Sequence, residues 1–247
     1  MGTVVQTKSS RPCLIDKSNS VRTRRAGFGW NSRNWSGYAV TGAKGSIKRI
    51  SAEWNVPVVN PSERPTYSSA WIGIDGFKNG SLIQTGTGHE SANGSVNYYA
   101  WWEILPASET VIPLPVSPGD RMYALIYKLR PGKWVIFLRN FSKGWFFRTV
   151  QKYTGPHNSA EWVVEAPLVG GNVAALTRMS TVIFSRCRLN GKSPRLTARN
   201  GGYMIQKRVT VAIPSCPNRS GDSFAVRRSY RKSVPLACSR SPLFNPS

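Results

Sequence analysis

Short strand-like runs separated by turn signals constrain the fold of this chain more than any other feature. No segment of helical length shows a 3.6-residue period, although residues 173–179 are expected to form a short helical turn. The predicted strands cover residues 34–40, 47–56, 69–75, 81–85, 97–105, 121–129, 134–140, 145–152, 160–166, 181–187, 203–206, 209–213 and 224–228. This spacing predicts an all-β fold, a sandwich or a barrel.

Charge divides the chain of 247 residues, whose net charge is +23. Residues 1–33 are basic and lack periodicity, so we expect a flexible leader or the remnant of a prosegment. Residues 34–230 are expected to form the β-domain, and residues 231–247 a basic tail. The basic leader and the basic C-terminal half favour an anionic surface or polymer as a partner. A solvated basic surface without a specific partner remains the alternative.

The remaining composition argues against metal and membrane classes. The four cysteines form no C-x-x-C pair and the two histidines, His89 and His157, are isolated and expected in loops, so no metal site is predicted. Cys216 and Cys238 could pair in an oxidising compartment, but the sequence does not fix the pairing. No apolar run has the length of a membrane span, and the N-terminus shows no signal peptide.

Two short segments carry the candidate chemistry. In the predicted strand at residues 160–165, side chains alternate between faces, so Glu161 and Glu165 share one face. Gln84 lies in another predicted strand, where it shares a face with Leu82. A carboxylate can activate water while an amide N–H stabilises the resulting oxyanion, which is sufficient for one kind of hydrolysis.

Two further strands combine an aliphatic face with an aromatic and acidic one. Trp71 and Asp75 point to one side of their strand, and Tyr99, Trp101 and Glu103 share a face of theirs. Repeated on several strands, this pattern predicts a substrate groove. The alternative is that the tryptophans belong to the core and that the acids are solvated at strand ends.

In several segments, the chain resembles the eqolisins, the family of glutamic peptidases, and the resemblance covers roughly residues 34–230. The resemblance implies a sandwich of two bent antiparallel sheets with a cleft, and a secreted acid endopeptidase that needs no metal or cofactor. It implies that Gln84 and Glu165, rather than Glu161, are catalytic. The matching segments are Asn34-Trp35-Ser36-Gly37-Tyr38, Trp54-Asn55-Val56-Pro57, Ala70-Trp71-Ile72-Gly73-Ile74-Asp75-Gly76, Leu82-Ile83-Gln84-Thr85-Gly86, Tyr98-Tyr99-Ala100-Trp101-Trp102-Glu103, Ser117-Pro118-Gly119-Asp120 and Ala160-Glu161-Trp162-Val163-Val164-Glu165.

The resemblance also places Trp71, Asp75 and Glu103 in the cleft, where we add Tyr99, Trp101 and Glu161 as substrate-binding candidates. Polypeptides are the expected substrates, a monomer is expected, and activity is expected at a pH of about 3–5, near the usual Glu pKa. Two other classes stay open. One is a glycoside hydrolase that uses Glu103 and Glu165; the other is a non-catalytic sandwich that binds polyanions or glycans through its tryptophans and its C-terminal Arg and Lys residues.

Overall fold

A computed structural model of the chain describes residues 27–231; the rest of the predicted leader and tail lie outside them. Apart from a 3-10 turn at Ala198–Asn200, the regular elements of this part are strands. In chain order they are β1 (Trp30–Ser32), β2 (Trp35–Thr41), β3 (Arg49–Asn55), β4 (Thr66–Ile74), β5 (Ile83–Ala92), β6 (Ser95–Ile104), β7 (Thr110–Ile112), β8 (Arg121–Arg130), β9 (Lys133–Asn140), β10 (Trp145–Lys152), β11 (Ser159–Glu165), β12 (Leu168–Val169), β13 (Asn172–Val173), β14 (Val182–Leu189), β15 (Gly201–Gln206), β16 (Val209–Pro214) and β17 (Phe224–Arg231).

Fifteen strands form one folded sheet in the order β10-β9-β8-β3-β14-β17-β16-β15-β2-β11-β4-β5-β6-β7, with β1 added in parallel to β15. The first strands of this path pack against the last ones, so that β5 contacts β8 and β9, and β3 contacts β4. The predicted antiparallel β-sandwich is therefore confirmed. A continuous hydrogen-bonded path through β15, β16 and β17 joins its two layers.

The main core lies between the layers and follows from the alternation of side chains along each strand. In β11, Trp162 and Val164 belong to this core, where they meet side chains of the facing layer such as Trp54 and Phe184. Trp162 is fully buried, and its Nε1 donates a hydrogen bond to the Ser51 carbonyl at 3.1 Å. The indole thus supplies apolar area to the core while its polar atom is satisfied.

A second, smaller apolar cluster covers the opposite face of the layer formed by β2, β11, β4, β5 and β6. Its members include Trp35, Trp71, Leu82, Trp101 and Val163. We call this side of the layer the site face. Because both faces of the layer are covered by buried side chains, its central strand β11 is buried at every position.

Several local predictions were wrong. The helical turn expected at residues 173–179 is extended chain, in which Leu176 bridges Tyr67 of β4, Met179 bridges Val59, and both side chains reach the main core. Apolar residues three apart suggested a helix, but extended pairing buries them equally well. His89 is not in a loop: it is buried in β5, within hydrogen-bond distance of Ser68 and Thr87.

Some elements were not predicted. Residues 30–32 lay inside the expected leader, yet they form β1, and Trp30 Nε1 donates to the Asn200 carbonyl at 2.8 Å. That partner is 170 residues away, so no local pattern could indicate it. β5 extends well past its predicted end at residue 85, through a segment rich in Gly and Thr that pairs with a strand on each side. The short strands β7, β12 and β13 were also missed.

Within residues 27–231 no helix has the length and apolar character that crossing a membrane requires. No group of three or more His, Cys, Asp or Glu side chains in that range is arranged to hold a metal ion. Cys187 is a buried free thiol and Cys216 is disulfide-bonded. The other two cysteines, including Cys238, lie outside the described residues.

We predict that Phe184→Ala lowers the free energy of unfolding by about 3–5 kcal/mol, because it opens a cavity beside Phe224, whose ring lies 5.1 Å away. Phe146→Ala is the matched control, since Phe146 is 65% exposed and its loss should change stability by less than about 1 kcal/mol. Urea denaturation of both variants measures the difference. Equal losses would contradict the assignment of the main core.

Candidate active site

Glu165 is the last residue of β11, and its side chain is oriented by two N–H donors. It is 2% exposed and lies between β2 and β4, opposite Trp35 and Ser69. Trp71 Nε1 donates to Glu165 Oε2 at 2.8 Å, and Asn34 Nδ2 donates to Oε1 at 3.3 Å. Such bonds to a carboxylate are among the stronger hydrogen bonds of proteins. They fix the orientation of the carboxylate, a group that in its ionised form acts only as an acceptor.

Gln84 lies on the same face, in β5, with its amide group directed by a second carboxylate. Its Nε2 donates to Glu103 Oε2 at 2.5 Å across the β5–β6 pair. Because an ionised carboxylate only accepts hydrogen bonds, this contact assigns the NH₂ group to the Glu103 side. The buried Oε1 atom of Gln84 has no hydrogen-bond partner among the described residues. One N–H of the amide remains available to a further acceptor.

The indole of Trp71 connects the surroundings of Glu165 and Gln84. Its Nε1 atom donates a hydrogen bond to Glu165. The Cζ3 edge of the ring lies over Gly73, the residue that is paired with Gln84. A Cβ atom at Gly73 would lie 2.9 Å from Trp71 Cζ3 and 3.3 Å from Gln84 Cβ. Glycine therefore leaves the space that the ring occupies. The amide and the carboxylate lie towards opposite ends of one indole, on strands separated by β4.

Asp75, predicted in the cleft, lies just past the opposite end of β4 from Glu165 and holds a loop. Its buried carboxylate accepts hydrogen bonds from Tyr153 Oη at 2.6 Å and from the backbone N–H groups of His157 and Asn158 at 2.9 and 3.0 Å. Burial, reinforced by the Asp75 carboxylate, raises the pKa of Tyr153 far above its ordinary value, so this hydroxyl remains a donor. The contacts of Asp75 are structural, and none of its hydrogen bonds reaches Gln84 or Glu165.

Glu161 occupies the site face in the same row as Gln84, with Gly73 between them. It is fully buried, and neither carboxyl oxygen has a hydrogen-bond partner of good geometry among the described residues. Burial raises the pKa of Glu161 well above its ordinary value; the Asp75 carboxylate adds to this effect, whereas the Ser159 hydroxyl opposes it. A buried carboxyl in this position is held in its neutral form.

Tyr99 and Trp101 face the site from β6. The Tyr99 ring lies over Gly88, where a Cβ atom would be 2.2 Å from the ring, and its hydroxyl donates to Glu90 Oε1 at 2.9 Å. Burial first, and then the carboxylates of Glu109 and Glu90, raise the pKa of Tyr99 well above its ordinary value. Its hydroxyl therefore stays protonated and keeps donating to the neighbouring carboxylate.

Nearly all buried polar groups in proteins are hydrogen-bonded. In the described part of the chain, the buried polar atoms that have no partner are concentrated on the site face. Besides the oxygens of Gln84 and Glu161, they include Trp35 Nε1, Ser69 Oγ and Trp101 Nε1. The two indole N–H groups are donors and the hydroxyl is both donor and acceptor. These donors and acceptors are complementary to the alternating N–H and C=O groups of a peptide backbone.

Most of the predicted site residues come together on the site face: Trp71, Gln84, Tyr99, Trp101, Glu103, Glu161 and Glu165. Asn34, Trp35, Ser69 and Glu90 also belong to this group, but sequence reasoning did not single them out. Asn34 and Trp35 stand in a segment that matched the eqolisins, which was the available signal. Ser69 and Glu90 could be found only from the pairing of β4 with its neighbours.

Comparison with known proteins identifies the family. The profile of the Peptidase A4 family matches residues 33–227. The chain belongs to this family. Membership bears out both the eqolisin resemblance and the predicted class of enzyme, a peptide hydrolase. A search of curated proteins found no match by sequence.

Solved structures of glutamic peptidases share the fold. Scytalido-glutamic peptidase, solved with a peptide-based transition state analogue, is 21% identical, with a TM-score of 0.68 over 80% of this chain and 98% of that one. SCP-B, an eqolisin solved with the tripeptide Ala-Ile-His, is 20% identical, with a TM-score of 0.64 over 80% and 98%. Aspergilloglutamic peptidase from Aspergillus niger is 22% identical, with a TM-score of 0.56 over 66% and 99%.

We predict that Glu161 contributes stability to this A4 family member in acid that is lost towards neutral pH. Because its pKa is raised in the folded state, its contribution is fully favourable below the ordinary value of 4.5 and is lost as pH rises above it. Glu161→Gln should therefore raise the melting temperature relative to the parent at pH 7 but much less at pH 4. Glu63→Gln, at an exposed carboxyl, is the control. A shift of equal size at both pH values would contradict a neutral Glu161.

Proposed function

We propose that this chain is a glutamic endopeptidase in which Glu165 and Gln84 form the catalytic dyad. The observation that carries the proposal is the common orientation of both side chains on the site face, near the two ends of the Trp71 indole. Each group is oriented by hydrogen bonds: Glu165 by Trp71 and Asn34, and Gln84 by Glu103.

The chemistry follows from what these groups can donate and accept. The Glu165 carboxylate takes a proton from water as the water oxygen attacks the scissile carbonyl carbon. The carbonyl oxygen becomes an oxyanion, which accepts a hydrogen bond from the remaining Gln84 Nε2–H. Glu165 then gives its proton to the leaving nitrogen as the C–N bond breaks. The products are a carboxylic acid and an amine, and the dyad returns to its starting state.

Polypeptides are the proposed substrates. The glutamic peptidases with this fold include one solved with a peptide-based transition state analogue and one solved with a tripeptide. Here the N–H groups of Trp35 and Trp101 have no hydrogen-bond partner among residues 27–231, and both indoles belong to the apolar cluster of the site face. A peptide backbone supplies carbonyl groups as acceptors for such donors, while the indole rings offer apolar contact to its side chains.

We also propose that the enzyme works in an acidic medium outside the cell. A Glu general base and acid with a usual pKa of about 4.3 is matched to mildly acidic conditions. The neutral state of Glu161 is favoured under the same conditions. The disulfide at Cys216 suits an oxidising compartment.

The glycoside hydrolase alternative finds no support in this arrangement, because Glu103 is bonded to Gln84 instead of standing free opposite Glu165. A purely non-catalytic sandwich would not account for a buried, oriented carboxylate beside an oriented amide. Membership of the Peptidase A4 family also favours peptide hydrolysis over both alternatives.

We predict that Glu165→Gln and Gln84→Ala each lower kcat on a quenched fluorescent peptide, measured between pH 3 and 5, by about 10²-fold or more. The first removes the proton acceptor, and removal of an oxyanion donor typically costs about 10²–10³ in rate. Glu165→Gln keeps the shape of the side chain and can still accept from Trp71, so circular dichroism and melting temperature should match the parent.

Glu161→Gln and Glu63→Gln serve as controls for this experiment, one on the same strand face as Glu165 and one on the exposed surface. Both should retain activity within a few-fold of the parent. A folded Glu165→Gln variant with parental kcat would disprove the dyad. A larger loss at Glu161 than at Glu165 would move the catalytic role to Glu161.

A further inference from the structure

The side of β3, β8, β9 and β10 that points away from the main core forms a basic and aromatic surface, which we call the outer face. In β9, for example, Trp134 and Leu138 enter the main core, so the alternate residues Phe137 and Arg139 point outwards. The side chains of this face are Arg49 and Glu53 from β3, Arg121, Tyr123, Leu125 and Tyr127 from β8, Lys133, Val135, Phe137 and Arg139 from β9, and Phe146, Arg148, Val150 and Lys152 from β10.

Positive charge on the outer face is almost uncompensated. Its six cations are accompanied by one acid, Glu53, which already pairs with Arg186 at 3.1 Å and lies 4.0 Å from Arg121. Arg139, Arg148 and Lys152 are exposed, and no ion pair joins them to an acid among residues 27–231. A concentration of unpaired cations on one side of a strongly basic protein attracts an anionic partner.

Aromatic rings are interleaved with these cations. The rings of Phe137 and Phe146 stack at 5.8 Å with an interplanar angle of 21°, and Tyr123 lies 6.2 Å from Phe137, so a row of rings crosses three strands. Phe146, at the edge of the row, is 65% exposed and presents ring surface to a ligand. At the end of the face, the guanidinium groups of Arg121 and Arg139 lie 4.5 and 4.7 Å from the ring of Phe141.

The combination of exposed cations and aromatic rings favours one class of anionic partner over the others. A ligand recognised by charge alone would need no row of exposed and half-exposed rings. A lipid surface would need a broad apolar patch, whereas here cations flank the row of rings: Arg139 is paired with Phe146, and Arg148 with Phe137, across the strands. Unpaired bases have faces that stack on aromatic rings and are linked by phosphates that meet cations.

We propose that the outer face binds a single-stranded polynucleotide. Bases stack along the row formed by Phe146, Phe137 and Tyr123, and phosphates pair with cations such as Arg139 and Arg148. The main core separates this surface from the site face, so the proposal does not depend on the catalytic dyad, and the two functions can be tested separately.

The test uses the full chain and a fluorescently labelled 15-nucleotide oligothymidylate, with affinity measured by anisotropy at several salt concentrations. Phe146→Ala should weaken binding by about 5- to 150-fold, since stacking of one base contributes roughly 1–3 kcal/mol, and should leave the salt dependence unchanged. Arg139→Ser with Arg148→Ser should reduce the slope of log K against log salt by about 1.4, or about 0.7 per lost phosphate contact.

The matched control is Arg64→Ser with Arg178→Ser, which removes two exposed cations outside the outer face and should change the slope far less. Peptidase activity should be unchanged in all these variants. The proposal is overturned if Phe146→Ala binds the oligonucleotide like the parent. It is equally overturned if heparin, duplex DNA or vesicles containing phosphatidylserine bind more tightly than the oligonucleotide at the same salt concentration, because the surface would then recognise charge or lipid and not unpaired bases.

Discussion

The burial of β11 on both faces is the constraint on which the rest of the structure depends. Trp162 and Val164 fill the main core from one side of this strand, and Glu161, Val163 and Glu165 face the other way. Because side chains alternate with a period of two, a slip of one residue would drive both carboxylates into the apolar core and expel the indole. The packing of Trp162 therefore fixes where Glu165 points.

The sequence indicated the fold class and most strands because their side chains alternate strongly, as in β8 to β11, where observed and predicted bounds agree closely. It also indicated which side chains share the site face. It could not indicate that Asn34 reaches Glu165, or that Asp75 holds the loop around His157, because these contacts join residues 131 and 82 positions apart. Local patterns were weakest where pairing alone decides the structure, as in β1 and in the glycine-rich half of β5.

The two layers of the sandwich also separate opposite charges. Six of the 11 acidic residues lie on or around the site face, namely Asp75, Glu90, Glu103, Glu109, Glu161 and Glu165, although the chain has a net charge of +23. The exposed cations of the outer face lie beyond the main core, and packed sheets are about 10 Å apart. The thickness of the sandwich therefore keeps the acidic groups of the site face apart from the basic surface of the outer face.

Gly73 and Gly88 give the site face its shape by having no side chains. The Trp71 and Tyr99 rings lie where Cβ atoms would otherwise be, 2.9 and 2.2 Å from the Cβ positions of the two glycines. Both rings therefore pack directly against the backbone of the sheet. In the proposed function, the substrate therefore meets a closely packed aromatic floor and not a set of long, adaptable side chains. Such a floor can accept a backbone in extended form with little ordering cost on the protein side, because the entropy of the aromatic groups was already lost when the chain folded.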